Sequence, residues 1–434
     1  MKCSFLFFLA LLSLLSGCRG KPEAQKEEIL SIQTIDRNGF TETISSKERL
    51  SHLSKIDFLT PQPYKKVLRV YPRSGEGKSC SRITSYHPNG EIYQYLEISE
   101  GRAHGAYKEW YPNGSLKIDA YVIEGLADVT SSAQMSWLFD GTSSIFDEEG
   151  RRLAECCYEK GVLEGDSIYF HPGGTPEKII PYHLGEIDGT LITYGENQEL
   201  LGESVFKGGI PHGTSRGKAA NGSFSFMESY EEGKLLEGTY TSSFMENLPK
   251  VEKGDGFQVC FENNTIKSII EIRKGKKEGA VRLFFPDGSL ESLYHVKEGL
   301  KQGKELLFFP GSTTQNLLEI PKIAKLELSW QDDLLSGPVK TWYPNGILES
   351  EREMSRNKKH GISLAYYIDG SLMLMEEYEG DRLIRGSYYA KGDKKPLSHV
   401  EDGKGTATLH DSHGVFKQKV LYEGGKPKLP GEGP

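Results

Sequence analysis

Long apolar runs are scarce in this 434-residue chain. Residues 5–15 are almost entirely apolar. No stretch of about 18 such residues follows them, so no helical membrane span is expected in the body of the chain. Cysteine is scarce too: there are six, none in a C-x-x-C pair and none at a His–Cys spacing suited to zinc. A surplus of one charge is also missing. Lys+Arg number 53 and Asp+Glu 61, giving a formal net charge of −8 with the signs interleaved. That leaves no basic face for a phosphate backbone and excludes nucleic acid as a partner. Hydrophobic residues reach only 37%, which fits a folded chain with a thin core.

Signatures of catalysis are missing as well. There is no G-x-S-x-G and no Ser–His–Asp context. No Asp/Glu pair recurs in a setting that would push two carboxyl pKa values apart. "SGEGKS" at residues 74–79 resembles a phosphate loop, but Pro72 stands where that motif needs its first glycine. The chain reads as non-enzymatic, with no cofactor, no metal site and no evident small-molecule substrate.

What is present begins with an address. Lys2 precedes the apolar run, which has the length of a signal-peptide core. The run ends in Leu15-Ser16-Gly17-Cys18, which resembles a bacterial lipobox. The resemblance implies a signal peptide over residues 1–17 and a lipidated Cys18 holding the chain on a membrane. Several acyl chains together give stable anchoring where one does not. Arg19 follows the cysteine in place of the Asp that resembles an inner-membrane retention signal, so the bacterial cell envelope, and its outer membrane, is the expected location. Residues 18–63 read as a flexible tether. A short helix is expected near residues 47–55, with Ser45 or Ser46 as its cap. Of the remaining cysteines, Cys80, Cys156, Cys157 and Cys260, two readings stay open: a disulfide of unreadable pairing, or free thiols. Residues 425–434 read as a disordered tail.

Glycine (49), tyrosine (22) and phenylalanine (19) are plentiful, and they are periodic. One glycine series runs Gly165, Gly189, Gly213 and Gly238, then Gly279 and Gly303, then Gly337, Gly361 and Gly386, at steps of 24 or 25 within each run. A second series, Gly90, Gly114, Gly288, Gly346 and Gly370, closes strings such as "YPNG" and follows the first at a fixed offset of 9 wherever both are present, as in Gly105 to Gly114. In "YPNG" the proline pre-sets the first central turn position, asparagine takes the second, and glycine follows at positive φ, as in a type I turn closing a bulged hairpin. Strings such as "EGRAHG" (residues 100–105) supply the alternate turn. "SLKIDAYV" after the first turn alternates in polarity like a half-buried strand.

The expected fold is all-β: an elongated, single-layer antiparallel meander of about 14 two-stranded hairpins, about 24 residues each, over residues 64–424. Residues 53–71 are the expected cover of its first edge, and residues 124–136 and 310–325, which break the period, are expected loops or kinks.

These strings resemble MORN-type repeats, in particular the bacterial variant of YwqK-like antitoxin proteins. The shared pattern is an aromatic pair, a Pro-Asn-Gly-type turn, an alternating strand and a Gly-Lys-x-His-Gly-type turn. The resemblance implies a binding surface: an envelope or secreted protein as partner, an antitoxin-like grip on a cognate toxin, or direct contact with phospholipid. One ring of each aromatic pair should face outward. Trp110, Tyr169, Phe284, Phe308, Trp342 and Tyr366 are the candidate ligand-binding ladder, unless rings of adjacent hairpins simply stack on one another. His104, His212 and His360 recur at one turn position, too far apart in sequence to share a proton or a metal, and read as locally bonded turn residues.

Overall fold

A computed structural model describes residues 28–72, 78–312 and 316–428. The lipobox, Cys18 and residues 429–434 lie outside the described residues. The chain is 61% strand and 3% helix, and its strands pair antiparallel with their neighbours in sequence. By internal contacts it divides into two units, Met1–Arg152 with Tyr158–Val162, and Leu153–Cys157 with Leu163–Pro434.

In the first unit, strand lies where the sequence reading put a tether. β1 (Ser31–Ile35) pairs with β2 (Thr41–Ile44) on one side and β3 (Lys66–Tyr71) on the other. Helix α1 (Lys47–Leu53) starts after Ser46, at the expected place, although the Ser46 hydroxyl makes no capping bond. The polar composition of the segment hid a few well-placed apolar anchors. Ile32, Ile44, Leu50 and Phe58 converge on Val67, Tyr86 and Ile92 in one buried cluster, which offsets the entropy of ordering the segment.

The meander proper follows as β4 (Cys80–Tyr86), β5 (Ile92–Ser99), β6 (Arg102–Trp110) and β7 (Leu116–Glu124). The next stretch, which breaks the period, is a cover rather than a kink. Short helix α2 (Ser131–Gln134) carries Val129, Ala133 and Trp137 onto Ile83, Leu96, Tyr107 and Val122. The Trp137 ring meets Tyr107 edge-on at 4.7 Å, and its indole N–H donates to the Leu126 carbonyl at 2.9 Å.

The second unit continues as successive hairpins from Gly165–Phe170 to Phe416–Glu423, and residues 426–427 form a further two-residue strand. Two turn types alternate along both units. In the first, Gly114 N–H donates to the Tyr111 carbonyl and Tyr111 N–H to the Ser115 carbonyl, both at 2.9 Å. The same pair of bonds recurs at His87, Phe285, Tyr343 and Tyr367. The five glycines that follow, Gly90, Gly114, Gly288, Gly346 and Gly370, take φ of 98°, 84°, 82°, 83° and 85°. Each closes the bulged type I hairpin expected of it.

The second turn type differs from its sequence reading. It is a two-residue turn with both residues at positive φ, such as Glu100 (51°) and Gly101 (72°) or Arg356 (48°) and Asn357 (66°), the type I′ geometry that suits strand twist. The glycine that closes "EGRAHG", Gly105, lies beyond the turn, inside β6. It takes φ of 127°, and a Cβ there would lie 2.6 Å from the Cβ of Glu97. Glu97 folds over this bare backbone and accepts the Ala106 N–H at 3.0 Å. Glu271 does the same for Ala280 beside Gly279, at 2.7 Å. Gly105 and Gly279 therefore mark places where a glutamate side chain of the preceding strand lies flat on the next one.

Consecutive repeats are tied at both ends of their strands. At the first turn type, a ring reaches the carbonyl just before the equivalent ring or turn residue of the next repeat. Tyr111 donates to Phe146, Tyr343 to Tyr366 and Tyr367 to Tyr389, at 3.0, 2.7 and 2.7 Å. His87 Nε2 lies 2.9 Å from the Trp110 carbonyl and His171 Nε2 3.0 Å from that of Tyr194. The turn asparagine adds a second tie: Asn89, Asn113 and Asn345 Nδ2 donate to the carbonyls of Pro112, Glu148 and Ile368. At the type I′ turns the tie is backbone to backbone, as in Gly209 N–H to Ile187 and Asn357 N–H to Leu335.

Replacing Tyr343 or Tyr367 with Phe should cost about 1 kcal/mol each. Amide exchange should quicken around residues 343–412 and stay unchanged around residues 83–122. A loss of protection spread evenly over the chain, or an unchanged denaturation midpoint, would contradict this coupling.

Candidate functional site

The six candidate aromatic positions do not form one ladder. Tyr169 is exposed, and Trp110, Trp342 and Tyr366 are half-buried. Phe284 and Phe308, expected to face outward, are buried at 3% and 2% exposure. Phe285 and Phe309, the second rings of those pairs, have no hydroxyl with which to tie one turn to the next. The first rings instead join Tyr240, Val259, Ile269 and Leu293 in a core, against which Leu317 packs. In the pairs at 342–343 and 366–367 the buried member is the second ring, Tyr343 or Tyr367.

The recurring histidines stand in separate hairpins. His104 Nδ1 lies 2.8 Å from the Ile123 carbonyl on the neighbouring strand β7, a bond between strands rather than one within its own turn. His212 and His360 precede Gly213 and Gly361 in strands Ile210–Lys218 and Lys358–Tyr366. Among the described residues no group of His, Cys, Asp or Glu is arranged to hold a metal ion. Cys80, Cys156 and Cys260 are free thiols and, like Cys157, half-buried; burial pushes the Cys260 thiol up.

Sequence reading missed two buried carboxylates of identical construction. Glu228 accepts Tyr230 Oη at 2.7 Å, Tyr240 Oη at 2.8 Å and Gln258 Nε2 at 2.9 Å. Glu376 accepts Tyr378 Oη at 3.0 Å and Tyr388 Oη at 2.8 Å. Each Glu lies opposite a glycine in register, Gly238 or Gly386. A Cβ on those glycines would meet the second tyrosine's hydroxyl at 2.5 or 2.7 Å. These two glycines belong to the first periodic series but avoid positive φ, because their task is to admit the hydroxyl. The signal was in the sequence as E-x-Y followed by G-x-Y at the same spacing, residues 228, 230, 238 and 240, then 376, 378, 386 and 388. Neither carboxylate has an ion-pair partner among the described residues, and both oxygens of each are occupied and buried. The arrangement fixes strand register and is closed to a substrate.

The open surface lies elsewhere in the second unit. Between residues 163 and 218 only Ser167, Gly195 and Ser215 are buried, so these strands lack the covers found on other strands. A groove of about 460 Å³ lies here, lined by Leu200, Gly202, Arg216, Gly217, Met227 and Thr239. Gly202 and Gly217 face each other in register, and with no side chains they form its floor. The Phe226 ring lies over Gly217, and Arg216 is held by Glu203 at 2.8 Å. Gly202 and Gly217 fall outside both periodic series, the one sequence signal that could have located the groove.

Strand pairing, turns and open faces define a class: an all-β protein of repeated antiparallel hairpins. Residues 103–122 and 335–355 match the family model of the MORN repeat variant, so the chain carries MORN-type repeats. Each match spans one hairpin centred on Tyr-Pro-Asn-Gly and includes a bulge glycine, Gly105 or Gly337. No curated protein matches the chain.

The buried tyrosines set an alkaline limit on this fold. Burial pushes Tyr86 up to about 12 from an ordinary value of 10.0. Burial, reinforced by the adjoining carboxylate, pushes Tyr107, Tyr230, Tyr240, Tyr378 and Tyr388 higher still. Above pH 10 the unfolded tyrosines lose protons that the folded ones keep, so stability is full below pH 10 and falls as pH rises toward 12 and beyond. Phenolate absorbance should therefore show one fraction titrating near 10 and a second appearing only together with loss of β circular dichroism. A single non-cooperative titration at 10 would refute the buried arrangement.

Proposed function

We propose that this is a lipid-anchored protein of the bacterial envelope whose hairpin repeats bind a protein partner and perform no chemistry. The observation that carries the reading is the repetition itself. The same hairpin recurs with its backbone groups satisfied turn by turn, and uncovered strands with a groove stand among residues 163–241. Affinity on such a surface is spread over many weak contacts. The sequence Leu15-Ser16-Gly17-Cys18 supports the anchor, and the uneven exposure of the rings favours the sheet face around Met227 over an aromatic ladder as the proposed binding surface.

Two measurements test this. Metabolic palmitate labelling should mark the parent and not the Cys18→Ser variant; equal labelling of both would remove the anchor. Crosslinking in cells followed by mass spectrometry should place residues 163–241 against envelope proteins. Crosslinks to one small toxin-like protein would replace this reading with an antitoxin-like one.

A further inference from the structure

β3 alternates in the ordinary way, with Val67, Arg69 and Tyr71 on its buried face. An arginine is out of place in such a row. Arg69 is only 8% exposed, and its register partners are Ile32 on one side and Arg82 on the other. Two arginines directly opposed across a strand pair repel each other. Arg82 is engaged: its Nη1 donates to Tyr71 Oη at 3.4 Å, and its Nε lies 4.0 Å from Glu97. Arg69 has no hydrogen bond or ion pair among the described residues. Its Nε and Nη2 are shielded and unpartnered, which leaves Nη1 as the nitrogen open to space. Its guanidinium lies over the Phe58 ring, 5.0 Å from the centroid, a contact that offsets only part of the cost of burying a charge.

The space beside it is a cavity of about 710 Å³ between α1 and the sheet, lined among others by Ile29, Leu50, Ile56, Phe58, Arg69 and Arg82. Its size is within the range of small-molecule sites; Glu28, Lys47 and Arg82 share the lining with the apolar residues, and Arg69 is the one charged group of that lining that is buried. We infer that this cavity is a binding site for a small aliphatic carboxylate, with its anionic head on Arg69 Nη1 and its chain against Leu50, Ile56 and Phe58. A single negative charge matches the one buried guanidinium of this lining, which has no acceptor among the described residues. A dianion such as phosphate would lose more hydration on entering the same walls. This site stands apart from the repeats, and its existence does not depend on the proposed partner binding.

Titration calorimetry of the full chain with octanoate, and with octanamide as the neutral control, tests it. Octanoate should bind at one site and octanamide about tenfold more weakly or worse. Arg69→Met should lose octanoate by a similar factor, yet melt no lower than the parent without ligand, because it removes an unpaired buried charge. Ile56→Trp, which fills the cavity and leaves Arg69 in place, should also weaken octanoate. Equal affinity for octanoate and octanamide, undiminished octanoate binding in Arg69→Met, or no octanoate binding by the parent would overturn the assignment.

Discussion

Everything regular in this protein depends on a hydrogen bond that leaves its own repeat. A hairpin satisfies its backbone internally, and a row of hairpins joined only by strand pairing has nothing to hold the turns in line. The ring before each Pro-Asn-Gly-type turn supplies that hold by donating to a carbonyl about one repeat onward, from Tyr343 to Tyr366 and from Tyr367 to Tyr389. Histidine serves in the same place because its ring nitrogen reaches equally far, as at His87 and His171. Asparagine is the better third turn residue for a related reason. Its oxygen accepts the N–H two residues on, as Asp287 and Asp369 do, while its amide also donates to the next turn, which a carboxylate cannot do. Where the ring is Phe, as at 285 and 309, the tie is lost and a buried cluster of rings and aliphatics replaces it. Polar ties and apolar burial are thus interchangeable solutions to one problem, and the residue at the turn decides which is used.

Most of this architecture was legible because turn chemistry is local. Positive φ demands glycine, and a glycine every 24 residues with a fixed offset declared both the period and the bulged hairpin. What lay beyond reach was decided by contacts between segments distant in sequence. The first glycine series looked like turn glycines, yet Gly105 is in a strand because Glu97 needs its bare backbone, and Gly238 and Gly386 admit a tyrosine hydroxyl. Residues 28–63 looked like a tether because their few apolar residues, Ile32, Ile44, Leu50 and Phe58, are spread among many polar ones. Their convergence is visible only once β1 pairs with β3. Phe284 and Phe308 were placed outward by alternation alone, which fixes that neighbours face opposite ways and not which way is in.

A single sheet exposes two faces, and its strands need covers wherever apolar side chains fall on both. The cover differs along the chain: β1, β2 and α1 at the start, α2 with Trp137 over Tyr107, and Leu317 against the Phe308 cluster. The strands between residues 163 and 218 have none, and their exposed apolar side chains, such as Leu184 and Ile210, remain in water. Exposure of that kind carries a solubility cost that burial by a partner would remove, which is why binding is sought there and not on the strands already covered.

Buried charge separates structure from recognition in this molecule. Glu109, Glu228, Glu305 and Glu376 are all buried, and each is satisfied from within the fold. Glu109 takes Tyr107 and Lys117, Glu305 takes Trp330 and Lys301, and the other two take paired tyrosines. A charge held that way specifies register, since a slip of one residue would strand it without donors. Arg69 breaks the rule. It is as buried as the glutamates, it faces another arginine, and no described residue gives it an acceptor. Guanidinium nitrogens of Arg282 and Arg352 are shielded without partners as well, but Arg69 is the arginine that is itself buried, at 8% exposure, and that lines a cavity. No described residue supplies its acceptor, and the cavity beside it is where the proposed carboxylate would enter.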